Sequence, residues 1–120
     1  LPKDPATWGT DRVFTTVQVA GGTPNNDVPI AAPVFEVTCW AAPAVGGSRR
    51  PPWNEANARA EAVRAAVLAH RDVPRAVTLP AGYGPARVLQ AAMRTEPRRA
   101  LGDRADYAAY TFDLQMWWTP

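Results

Sequence analysis

Residues 106–118 alternate without interruption: Ala108, Tyr110, Phe112, Leu114, Met116 and Trp118 interleave with Tyr107, Ala109, Thr111, Asp113, Gln115 and Trp117. Side chains two apart share one face of a β-strand, so this spacing predicts a long strand with a continuously apolar face against a core and a mixed face opposite. A strand of this kind needs neighbours to pair with and an element to cover it. The segment closes on Trp117-Trp118, and adjacent side chains on a strand point to opposite faces, so the two indoles cannot enter one core. At least one of them is expected to be available to something else.

Earlier in the chain, residues 12–20 are rich in β-branched side chains, with Val13, Thr15, Val17 and Val19 on one face and Phe14, Thr16 and Gln18 on the other, and read as a first strand. A run of turn formers, Gly21 to Asp27, opens an extended loop that continues through Pro29 and Pro33. Residues 34–40 read as a second strand, Phe35, Val37 and Cys39 facing one way and Val34, Glu36, Thr38 and Trp40 the other. After Gly46-Gly47 and Pro51-Pro52, residues 53–71 lack Gly and Pro and are rich in alanine, which predicts a helix. Its stripe Ala56, Ala60, Val63 and Val67 is expected to lie on the sheet, closely because the first two are small, with Glu55 and Arg59 paired on the wet side. Trp40 and Trp53 bracket the Pro/Gly loop and are expected to clasp its ends.

A short strand over 76–79, a turn at 80–85 and a further strand over 86–95 follow, the last with enough alanine to leave a helix open. In that strand Val88, Gln90, Ala92 and Arg94 are expected opposite Leu89, Ala91 and Met93. Residues 96–105 then form the long tip of a hairpin returning into the final strand. The fold expected is α+β: a single mixed or antiparallel sheet of four to five strands packed by one main helix, with a long C-terminal β-hairpin. One domain spans residues 1–120, an extended arm over 1–11 anchored by Trp8 and a core over 12–118. A chain of 120 residues buries roughly 65% of its unfolded surface, enough for one core and not two.

Charge is unevenly distributed. Residues 49–104 hold eleven of the twelve Arg against Glu55, Glu61, Asp72, Glu96 and Asp103, a net +6, while the remainder carries −4. Such asymmetry favours acidic partners or head-to-tail pairing between copies. Arg98, Arg99 and Arg104 form the best electrostatic candidate, because guanidinium forks bind carboxylates or phosphates, with Arg49 and Arg50 as possible extensions; a solvated loop is the plain alternative. No basic helix has groove spacing and no aromatics interleave with the arginines, so sequence-specific nucleic-acid binding is not expected. No apolar run approaches the ~20 residues of a membrane span, and the first residues carry no signal-peptide pattern, so no membrane partner is expected.

Catalytic groups are sparse. Cys39 and His70 would be a nucleophile and base only if they met, yet one sits mid-strand and the other at a helix C-terminus, where imidazole complements the dipole. A lone cysteine in a strand is a small buried hydrophobe, suited to a reducing compartment. One His and one Cys make a zinc site improbable, Gly82-Tyr83-Gly84 followed by Pro85 is a turn and not a phosphate loop, and the carboxylates are scattered. No enzyme activity, cofactor or metal is expected.

The order strand, long loop, strand, alanine-rich helix, short strand and long aromatic hairpin, carried by residues 34–40, 53–71 and 110–117, resembles the tail terminator, or tail completion, proteins of long-tailed bacteriophages. Those are small α/β subunits that form a six-membered ring capping the tail tube. The resemblance covers roughly residues 12–118. It implies a structural virion protein that assembles in the host cytoplasm into a homo-hexameric ring at the head-proximal end of the tail. Such a ring fixes tail length and meets the tail tube protein on one side and head–tail connector proteins on the other. Arg98, Arg99, Arg104, Trp117 and Trp118 are the contact residues expected. Alternatives are another head-to-tail joining or minor virion protein and a cellular α+β binding module.

Overall fold

The computed structural model describes residues 12–22, 30–43, 52–69, 74–100 and 107–120. The arm over 1–11 with Trp8, Arg49, Arg50, His70, Arg71 and Arg104 lie outside the described residues. The elements are β1 (Val13–Gly22), β2 (Pro33–Ala41), α1 (Trp53–Val67), β3 (Arg75–Val77), β4 (Ala86–Met93), β5 (Arg98–Arg99) and β6 (Ala108–Thr119). All pairings are antiparallel, in the order β1-β2-β6-β4-β3, with β5 also on β6. The alternating segment is thus the central strand. β2 runs along one side of β6, and β4 and β5 lie end to end along the other.

Among the described residues six strands form where four to five were expected. The addition is β5, two residues inside the expected 96–105 loop. Its origin is local: Asp113 donates its N–H to Thr95 Oγ1 at 2.8 Å and accepts from the Arg94 N–H at 2.8 Å, which lets the chain leave the ladder at residue 94. It then returns opposite Thr111 and Tyr110, and the Ala100 N–H reaches the Ala109 carbonyl at 2.9 Å. A two-residue strand has no periodicity to read.

α1 covers one face. Phe35, Val37 and Cys39 of β2 and Tyr110, Phe112 and Leu114 of β6 point toward it and meet Ala60, Val63 and Val67; Phe112, Cys39 and Ala60 are fully buried. Under the first turn, Ala56 packs among Ala41 and Ala108 beside Trp53 and Tyr110, so alanine lies on alanine where helix and sheet approach. The other face carries Phe14, Trp40, Ala42 and Tyr107 as a second cluster. Beside it run Thr16, Thr38 and Thr111, with Thr38 Oγ1 donating to Thr111 Oγ1 at 3.2 Å and Trp40 Nε1 to Thr16 Oγ1 at 3.2 Å. Trp40 and Trp53 sit on opposite faces, because Trp40 follows the pleat of β2 away from the helix, and the loop they were expected to clasp lies outside the described residues.

Several boundaries shift, and one strand pattern changes. The described helix ends at Val67, with Leu68 in a turn whose N–H reaches the Arg64 carbonyl at 3.0 Å. β3 begins at Arg75 and stops at Val77. In β4 a bulge falls at Leu89: Val88 opposes Trp118, Gln90 opposes Trp117 and Ala91 opposes Met116. The extra residue breaks the expected alternation, so Val88 shares the α1 side with Ala91 and Met93 and parts from Gln90.

Candidate functional site

β5 is a strand, so Arg98 and Arg99 point to opposite faces. Arg99 turns to the α1 side, its guanidinium carbon 4.6 Å from the centre of the Trp53 ring, and its Nε donates to the Tyr110 hydroxyl at 3.4 Å. Trp53 in turn meets Tyr110 edge to face, centroids 6.0 Å apart and planes at 86°. Arg99 is therefore engaged within its own chain, fastening β5 to the start of α1. Arg98 faces the other way, donating from Nη1 to Thr95 Oγ1 at 3.2 Å, and is exposed. Nearby, Arg64 of α1 holds Glu96 at 2.8 Å and Glu61 at 3.8 Å.

Trp117 and Trp118 lie at the far end of β6, both half-buried. Trp118 exchanges backbone hydrogen bonds with Ala31 at 2.8 and 2.9 Å. Eight residues of strand separate Tyr110 from Trp118, about 26 Å, so the arginine pair and the tryptophan pair do not make one surface.

Two features escaped the residue-level reading. Val17 and Val19, expected on one face of β1 with Val13 and Thr15, are 62% and 64% exposed, because α1 does not reach that end of the edge strand. Arg59 reaches only as far as Thr15, donating from Nε to Oγ1 at 3.1 Å in place of the expected pairing with Glu55. At the opposite edge Val77 and Leu79 are each 37% exposed. Between them and the end of α1 runs a groove of about 400 Å³, lined by Ala66, Val67, Val77, Val88 and Ala91, with Arg75 at its side.

Most of the described arginines gather toward one side of the sheet, while Arg12 and Arg59 lie at β1. Arg75, Arg87, Arg94, Arg98 and Arg99 lie on the β3, β4 and β5 side, where Glu96 is held by Arg64. β1 has no charged residue over its ten positions. Behind it, Glu36 directly opposes Asp113 in register, on the face away from α1. Like charges placed so disfavour the pair unless a cation approaches them.

Cys39 is fully buried, and burial raises its thiol above the ordinary 9.0, opposed by the Thr15 hydroxyl and the Arg59 charge. A raised folded value means that its contribution to stability is complete below the unfolded pKa and is lost as pH climbs through the folded one. Native protein at pH 8 is expected to react with iodoacetamide more than about tenfold slower than unfolded protein, measured by mass spectrometry. Equal rates would mean an accessible thiolate. Among the described residues no group of three His, Cys, Asp or Glu could hold a metal ion.

No known family model matches the chain, and no curated protein matches it significantly in sequence.

Proposed function

We propose that this chain is a structural subunit that acts by stoichiometric association, as a phage tail terminator does: a homo-hexameric ring on the tail tube, between tube protein and head connector. The observation that carries this reading is the unlikeness of the two sheet edges, one uncharged with exposed valines and the other arginine-rich. Closed rings use heterologous contacts between two different patches of each subunit, and such a pair of edges supplies them. The exposed Arg98 adds a cation on the face away from α1.

Light scattering is expected to give a mass near six subunits, alone or with tube protein, and electron microscopy to show rings. Arg98→Glu is expected to weaken assembly at least about tenfold while changing unfolding free energy by no more than about 0.5 kcal/mol, as surface substitutions do. A strict monomer that ignores tube subunits would overturn the reading.

A further inference from the structure

We propose that the open edge of β1 adds to the β3 edge of the next copy, so that one sheet continues from subunit to subunit and the groove beside β3 receives Val17 and Val19 of the neighbour. This rests on the ring reading and names its contact. The Ala42 N–H donates to the Arg12 carbonyl at 3.0 Å, continuing the β1–β2 register by one pair. By the two-residue alternation of an antiparallel ladder, Val13, Thr15, Val17 and Val19 turn their own N–H and C=O groups to the open side. Among the described residues no strand pairs with them. Edge strands are ordinarily guarded by charge, proline, bulges or shortness; β1 has ten residues with no charge or proline, and its bulge, at Ala20, lies beyond the valines.

The face matches as well as the edge. Val17 and Val19 oppose Val37 and Phe35, and so lie on the α1 side. Val77 opposes Ala86 in β3–β4 and lines the groove against α1, placing it on that side too. Each edge thus offers an exposed apolar pair at i, i+2: Val17 with Val19, and Val77 with Leu79. In an all-antiparallel order β1-β2-β6-β4-β3 the two edge strands run the same way, so continuation of the sheet pairs them in parallel and keeps every α1 on one side. On the face away from α1, Arg87 would lie toward the side of the neighbour that carries Glu36. A two-fold pairing of β1 with β1 would cover the valines and leave Val77, Leu79 and the groove uncovered. Pairing β3 with β3 would set arginines against arginines.

The test is mixed disulfide trapping in the full chain, with Cys39 left in place because it is buried. Val17→Cys or Val19→Cys is mixed with Val77→Cys or Leu79→Cys under mild oxidation, after light scattering on each variant. The expected result is cross-linked dimer in at least one mixture and none in any variant alone. The double variant Val17→Lys with Val19→Lys, at sites already exposed, is expected to lower assembly at least about tenfold with an unchanged thermal melt. Oligomers that give no mixed cross-link would overturn the strand contact and leave the ring reading standing. Monomers before oxidation would overturn both. Cross-linking of Val17→Cys with itself would replace the head-to-tail contact by a two-fold one and overturn it.

Discussion

Phe112→Ala is expected to lower the unfolding free energy by about 3 to 5 kcal/mol, the range for deleting a buried aromatic ring. Domains are held by about 5 to 15 kcal/mol in total, so this single truncation brings the fold close to its limit. The upper part of the range is expected here because the site has little means of collapsing. Phe112 is fully buried in the middle of β6, opposite Val37, with Ala60, Cys39 and Leu114 packed around it. Ala60 has no side chain long enough to swing into the space, and the backbone is fixed by β2 along one side and by β5 and the Asp113 bonds on the other. Urea unfolding monitored by tryptophan fluorescence checks the number. A loss under about 1.5 kcal/mol would mean that α1 settles onto the sheet and closes the cavity.

Gly22→Ala is the second large effect, on the order of 2 to 4 kcal/mol. Gly22 closes β1 at φ +120°, a conformation that disfavours any L side chain by about 1 to 3 kcal/mol. An added methyl group would also lie 2.6 Å from the Ala32 carbonyl oxygen and 2.9 Å from the Pro33 Cα, both backbone atoms that cannot rotate away. Something must shift, and the first thing available is the register of β1 on β2, which depends on the Gly22–Pro33 and Gly21–Val34 pairs that follow a bulge at Ala20. The control is Gly84→Ala, where a methyl group meets nothing within 4 Å and unfolded-chain entropy alone predicts a gain of about 0.4 to 1 kcal/mol. Equal thermal shifts in the two variants would contradict the steric account.

The long elements were legible because each repeats its own period. The alternation through Phe112 and Leu114 and the stripe Ala56, Ala60, Val63 and Val67 name both sides of the core before any coordinates are drawn. What escaped depends on single residues or on distant ones. β5 exists because a Thr95 hydroxyl caps the N–H of Asp113, eighteen residues away, and the β4 pattern turns over because one residue, Leu89, is extra. The exposure of Val17 and Val19 follows from where α1 ends its reach, a length relation between two elements that no local pattern records. Arg98 and Arg99 were found as a charged pair, but their division between faces required knowing that they lie in a strand. The separation of that pair from Trp117 and Trp118 could have been read from the length of β6 alone, once Arg98 was known to oppose Thr111.

β6 comes after every element that it joins. Its partners in β2 lie some seventy residues earlier, and until it is inserted β2 and β4 have no common neighbour, so the sheet exists as two separate halves. Contacts so distant along the chain form slowly, since the intervening loop must close before they yield anything. During synthesis the β1–β2 hairpin and the helix therefore wait, apolar face uncovered, for a strand still within the ribosome. A chain cut short before residue 108 is expected to remain a substrate for chaperones and proteases, because what it lacks is the keystone.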